Sequence, residues 1–367
     1  MRTIRRLIYR EVLAAVAFVA VGFLALFFFF DFVDELPNVG KAGGAYRLTQ
    51  ALAYVTLSIP SHLYELLPIA VLIGTIFVMA RLAQSSEYTI LRTSGLGPWR
   101  AMRTLLALGM MFTVLTFATG DYLAPVADRT AQLLKARLEG RISIGQTGAW
   151  LKEKQAFHTY NVNVSALTPE GDMQSIRIFE SDSRGFLVSV TQARKGRFTE
   201  DGAWELQGVE RSEFTGNGGE VAKVDRVKVP DLRWPTEITS EMVSVALLKP
   251  DRMGTIDLFQ YIHHLEANGQ TSQRYEIEFW RKVFYPLSCM VMVVLALPFA
   301  YLHFRAGGIT GFVFGGVLIG ISFFLLNNVF GYIGNLQNWR PWLTAASPGL
   351  IYSLFSLGAF SWLVLRR

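Results

Sequence analysis

Six stretches of the chain are predominantly apolar for about 20 residues or more, the length a helix needs to cross a bilayer. They lie roughly at 10–33, 58–82, 102–122, 281–303, 309–333 and 343–365. The second is the least clean, because Pro60, His62, Glu65 and Pro68 fall in its outer part. Three spans precede, and three follow, a long segment of different character, about 138–250.

That segment alternates. HTYNVNV (His158–Val164) puts Tyr160, Val162 and Val164 on one face and Asn161 and Asn163 on the other, the mark of a half-buried strand. SIRIFE, GFLVSV and VDRVKV repeat the pattern. The pairs Glu170-Gly171, Asp201-Gly202 and Gly218-Gly219 supply turns between them. Many short strands with such turns predict a sandwich or jelly roll. Beyond it, Leu258, Tyr261, Ile262 and Leu265 recur at helical spacing between Thr255 and Asn268, closed by Gly269. This amphipathic helix is expected at the outer interface, leading into span 4.

Composition agrees with a membrane protein. Of 367 residues, 51% are hydrophobic and only 17% charged, against about 25% charged in soluble proteins. The net charge of +6 forms no single basic stripe. The basic residues sit at the ends of apolar runs, which argues topology and not nucleic acid. Arg2, Arg5, Arg6 and Arg10, then Arg81, Arg92, Arg100 and Arg103, then Arg305, then Arg366 and Arg367, all fall on one side of a six-span chain. The short first loop opposite offers Lys41 and Arg47. Short loops rich in Lys and Arg stay cytoplasmic, so both termini are expected inside and the β segment outside. The uncharged run Val12–Phe30 is longer than the roughly 7–15 residues of a signal-peptide core and is read as a retained span.

The expected fold class is therefore an α-helical integral membrane protein with six transmembrane helices and a periplasmic all-β, jelly-roll-like domain between helices 3 and 4. The expected division is 1–137 for spans 1–3, including a short surface helix at 85–97; 138–250 for the β domain; and 251–367 for the interfacial helix and spans 4–6.

Four places carry candidate chemistry. In SSEYTILRTSGLGPWR (Ser85–Arg100), a serine caps a helix, Glu87 occupies its first turn, and Tyr88 and Leu91 share a face. Gly95 and Gly97, followed by Pro98, stop it. Such a helix either docks in another protein or lies on lipid. In GGITGFVFGGVLIG, Gly307, Gly311 and Gly315 recur every four residues and Gly316 pairs with Gly320, a spacing that lets membrane helices approach closely. Where span 1 ends, DFVDELPNVGK places Asp31, Asp34, Glu35 and Lys41 near the outer interface; Lys135 and Arg137 follow span 3. Phe27, Phe30 and Phe323 are candidate lipid-facing positions.

Other classes find little support. No Ser/His/acid set or HExxH motif appears, so an enzyme is not expected. The one cysteine, Cys289, excludes an internal disulfide, and no Cys/His cluster has metal-ligand spacing. No GxxxxGK[ST] motif is present, so any ATP-driven work needs an ATPase on a separate polypeptide.

Over essentially its full length the chain resembles the lipopolysaccharide export permease family LptF/LptG, and within it the LptG type. The resemblance rests on FVDEL (Phe32–Leu36), LAQSSEYTILRTSG (Leu82–Gly95), the APVAD region after span 3, and RYEIEFWRKVFYPLS (Arg274–Ser288), together with the order of three spans, outer domain and three spans. It implies a permease subunit of an ABC transporter in the bacterial inner membrane. Such a permease pairs with an LptF-type sister and binds an LptB-type ATPase dimer, which holds the ATP and Mg. Its β-jelly roll hands lipopolysaccharide to an LptC-type anchored protein and an LptA-type bridge.

The resemblance makes Ser85–Gly95 the coupling helix, with Glu87 as the ATPase-contacting acid beside Tyr88, Leu91, Arg92 and Gly95. It sets the span 5 glycines near the permease–permease interface. Relatives often carry lysines at the outer end of span 1 to meet the lipid's phosphates. Here Asp31 stands in that vicinity and only Lys41 is basic. Either Lys135 and Arg137 take more of that role, or the lipid is less phosphorylated. The alternative function is a non-transporting mechanotransmitter or scaffold linking a cytoplasmic ATPase to an envelope protein.

Overall fold

The computed structural model describes residues 2–40, 46–85, 87–93, 95, 97–139, 148–155, 157–168, 171–199, 201–215, 223–240, 242–243, 250–301 and 309–362. Six helices among them are long and apolar enough to cross a membrane: Ile4–Asn38, Leu48–Gln84, Pro98–Lys135, Gln273–Tyr301, Thr310–Leu336 and Pro341–Phe360. Several run beyond the apolar core of the span. Helix α2 (Leu48–Gln84) begins ten residues before the expected span and carries Pro60 and Pro68 inside it. Intramembrane prolines are tolerated where neighbouring groups satisfy the freed backbone.

The chain forms two compact units. One comprises Met1–Pro37, Val55–Ala127 and Glu276–Arg367; the other comprises Asn38–Tyr54 and Asp128–Tyr275.

The first unit is the helical bundle. Its spans come from α1 (Arg2–Glu35), α2, α4 (Pro98–Ala118), α7 (Gln273–Phe284), α8 (Ser288–Ala296), α9 (Ile309–Leu336) and α10 (Pro341–Phe360). The seven-residue α3 (Glu87–Thr93) connects α2 to α4. Span 2 forms the centre and is mostly buried, whereas span 1 is mostly exposed. The apolar faces of spans 1, 5 and 6, including Phe18, Phe314, Leu325 and Leu354, point out of the bundle.

Small residues set the closest crossings, as they do where membrane helices meet. A Cβ on Gly74 would lie 2.7 Å from the Val16 backbone nitrogen, and one on Gly109 3.0 Å from the Met290 Cα. Span 3 contains a π-helical turn at Thr119–Leu123, before α5 (Ala124–Glu139). Where the ladder shifts, the Gly120 carbonyl accepts a hydrogen bond from Lys282 Nζ at 2.9 Å. The ammonium also lies over the Tyr64 ring, 5.6 Å from its centroid. Next to it, Tyr285 Oη donates to the Glu65 carbonyl at 2.5 Å. Thus spans 2, 3 and 4 meet in a layer of internally satisfied polar groups.

The second unit holds six antiparallel strands in one sheet: β1 (Ala149–Lys154), β2 (His158–Leu167), β3 (Met173–Asp182), β4 (Leu187–Phe198), β5 (Ala203–Thr215) and β6 (Lys223–Pro235). Each strand pairs with the next in sequence. Alternation alone could not give this pairing. Val162 and Val164 are fully buried, as their face predicts. Asn163, on the other face, is buried too, and its Nδ2 donates to the Ala149 carbonyl at 3.2 Å. Trp204 is the largest fully buried side chain and donates through Nε1 to the Ile238 carbonyl at 2.9 Å.

A buried carboxylate on β3 joins four strands, β2 to β5. Glu180 accepts from Ser189 Oγ at 2.6 Å, Arg211 at 3.2 Å and Tyr160 Oη at 3.3 Å. Gly202 closes the β4–β5 turn with φ +72°, a conformation that favours glycine. The expected turn at Gly218-Gly219 lies outside the described residues.

After the strands, α6 (Thr255–Ala267) buries Leu258, Tyr261, Ile262 and Leu265, the four residues whose spacing predicts it. Asp257 Oδ2 accepts from the Gly254 N–H at 3.2 Å, capping the start. Gly269 follows with φ +63°.

Candidate coupling and lipid-facing sites

Helix α3 begins at Glu87, where an acid faces the unpaired N–H groups of the first turn. Glu87, Ile90, Arg92 and Thr93 are exposed, and Leu91 is half-buried against the bundle core. Tyr88 points the other way. It is 3% exposed, and its Oη donates to Tyr301 Oη at 3.1 Å. Burial, above all, pushes the Tyr88 phenol well above its ordinary pKa, so it stays a neutral donor. Tyr88 is therefore not part of an outward docking face, because its ring fills the gap between α3 and the end of span 4. Gly95 stops the helix with φ +99°, and Arg100 Nη1 donates to its carbonyl at 2.9 Å.

At the far end of span 1, Asp31 Oδ2 and His62 Nε2 are 2.6 Å apart, joining spans 1 and 2. Phe27 is half-buried, and its ring lies tilted against the same imidazole with centroids 5.0 Å apart. Phe30 is exposed, edge-on to Phe29. Glu35, four residues past Asp31, is buried.

Phe323 requires a correction. It is 2% exposed and packs between Tyr285 and Tyr352 in the bundle core, so it meets no lipid. In the second unit, Lys135 Nζ lies 4.9 Å over the Tyr54 ring, a cation–π contact. Lys41, Gly307 and the side chain of Arg137 lie outside the described residues.

The span 5 glycines divide between two faces. A Cβ on Gly316 would lie 2.8 Å from Ile76 Cδ1, and one on Gly320 2.7 Å from Ile69 Cγ2. Those two glycines fit span 5 onto span 2. A Cβ on Gly311 or Gly315 would meet nothing within 4 Å. A stripe that reads as one surface in sequence thus does two things. The site residues that sequence reasoning did not single out are Gly74, Gly120, Lys282 and Tyr301. Lys282 carried a signal, a charge inside a span. Tyr301 carried none, being 213 residues from its partner.

Among the described residues, no group of three or more His, Cys, Asp or Glu side chains is placed to hold a metal. The profile of the family described as "Lipopolysaccharide export system permease LptF/LptG" matches residues 6–366. The chain belongs to this family. It is 28% identical over 339 residues to the lipopolysaccharide export system permease protein LptG of Escherichia coli (strain K12), covering 92% of this chain and 90% of that one. It is 26% identical over 368 residues to the LptG of Haemophilus influenzae, covering 100% and 99%. Membership, with six apolar helices, makes the chain a multi-pass inner-membrane protein and a transporter's permease subunit in kind.

Proposed function

We propose that this chain is one of two permeases that extract lipopolysaccharide from the outer leaflet of the inner membrane and pass it to a periplasmic bridge, driven by a separate ATPase. The observation that carries this reading is the family match across residues 6–366, which takes in both sets of spans and the inserted sheet. Both termini lie in the cytoplasm and the sheet in the periplasm, as the arginine distribution argues. The sister permease is of LptF type, the ATPase a dimer of LptB type, and the onward carriers of LptC and LptA types.

Within this reading α3 is the contact for the ATPase. Glu87, Ile90 and Arg92 form its exposed side. Nucleotide binding in the partner moves α3, and the bundle narrows a cavity shared with the sister permease. A partner shifts such an equilibrium only by its differential affinity for the two states, so the α3 contact differs between them. Phe27 and Phe30 at the outer end of span 1 meet the lipid. Asp31 is engaged with His62, and phosphate contact falls to Lys41, Lys135 and Arg137.

The test is Glu87→Lys. Co-purification of the ATPase with the permease pair should fall at least about tenfold, as expected for losing a charge-assisted contact and adding a repulsive one, while membrane insertion is kept. Undiminished co-purification refutes the coupling role of α3.

A further inference from the structure

We infer that Tyr88 and Tyr301 form a latch that makes span 4 move with α3; this rests on the coupling role proposed for that helix. By covalent connection alone, α3 passes force to spans 2 and 3, which it joins. The side-chain contacts add a third output. Tyr301 ends the 3-10 turn Leu297–Tyr301 that closes span 4. Tyr88 reaches it with a hydroxyl–hydroxyl hydrogen bond of 3.1 Å and an edge-to-face ring contact with centroids 5.2 Å apart. One turn later in α3, the Arg92 guanidinium lies 5.8 Å from the centroid of the same ring. The phenol of Tyr301 is therefore held at its edge and its face by two residues of one short helix.

A seven-residue helix has little stability of its own, so these contacts fix where α3 sits. Both hydroxyls are buried, and breaking the bond would leave the Tyr88 donor without its acceptor in a dry place. Separating α3 from span 4 thus costs more than moving them together. Span 4 is itself tied to the bundle further along. Cys289 Sγ lies 3.2 Å from Thr116 Oγ1, and Lys282 bonds the Gly120 carbonyl in the π-helical turn of span 3. A displacement at Tyr301 passes along span 4 through α8, which lies between two 3-10 turns, Leu297–Tyr301 and Tyr285–Leu287, toward Lys282, where span 3 departs from regular α geometry. Arg92 remains exposed on its outer side while gripping Tyr301, so the partner's surface and the latch share one residue.

Tyr88→Phe, Tyr301→Phe and the double variant test this. The complex with the sister permease and ATPase is reconstituted in vesicles, and glycolipid extracted per ATP hydrolysed is measured. Each single variant should lower that ratio about three- to tenfold, the span of a net hydrogen bond, and the double should lower it no further. An unchanged ratio in either single variant, or losses that multiply in the double, overturns the latch. Amide exchange in α3 of the chain on its own gives a second readout. Tyr301→Phe should speed it about threefold or more, and unchanged exchange also overturns the proposal. A wild-type complex that hydrolyses ATP without extracting glycolipid defeats the permease reading instead, and the exchange experiment still decides whether Tyr301 holds α3.

Discussion

Asp31 and His62 are joined across spans 1 and 2 by a 2.6 Å contact. The acid at this end of span 1 thus has its partner within the same chain. A charge-assisted bond between half-buried groups contributes about 1–3 kcal/mol. Asp31→Asn and His62→Phe should each lower the thermal midpoint of the detergent-solubilised protein by a few degrees, and the double variant by little more than either. A double variant whose loss equals the sum of the two would mean that the groups act independently.

The glycines of the bundle should separate by position. Gly74→Val and Gly320→Val push a side chain against Val16 backbone and Ile69 respectively, and each should cost about 1–3 kcal/mol of stability. Gly311→Val and Gly315→Val meet open space and should leave the lone chain's midpoint unchanged. If those two instead weaken co-purification with the sister permease, that face of span 5 lies at the contact between permeases.

Gly120→Ala should be the most damaging single methyl in the bundle. Its Cβ would lie 2.2 Å from the Tyr64 ring, beside the carbonyl that Lys282 holds. Folded yield in the membrane should fall severalfold, and adding Tyr64→Ala should recover part of it by removing the clashing ring. No recovery would place the requirement for glycine in the π-helical backbone and not in the contact.

Much of this fold is legible in the sequence because a membrane and a sheet impose strong periods. Apolar length gives the six spans, and two-residue alternation finds β2, β3, β4 and β6 but not β1 or β5. The spacing of Leu258, Tyr261, Ile262 and Leu265 gives α6 almost to its ends. The site was legible only where local chemistry decides it. Glu87 reads as a first-turn acid and Gly95 as a stop. Which way Tyr88 points depends on Tyr301, and Phe323 is buried because Tyr285 and Tyr352 close over it. Those are tertiary facts with no local signature. Glycine spacing shows that span 5 is smooth, but not which neighbour uses which side.

Acid should loosen α6. Burial lowers the pKa of His264 below its usual 6.5, outweighing the raising influence of Glu153 and Glu237. A histidine depressed in the folded state binds protons more readily when unfolded, so its contribution is present above the unfolded pKa and is lost as pH falls below about 6.5. Amide exchange of α6, corrected for its intrinsic pH dependence, should accelerate between about pH 7 and 5. His264→Gln should flatten that response. An equal acceleration in the variant would assign the effect to another group.

The role proposed for this chain is to transmit work done by a cytoplasmic ATPase to a lipid at the outer leaflet. The most direct measurement is glycolipid release from vesicles containing this chain, its sister permease and the ATPase, with and without ATP. Release should require ATP and disappear with Glu87→Lys. ATP hydrolysis that proceeds while no glycolipid ever leaves the membrane would contradict it.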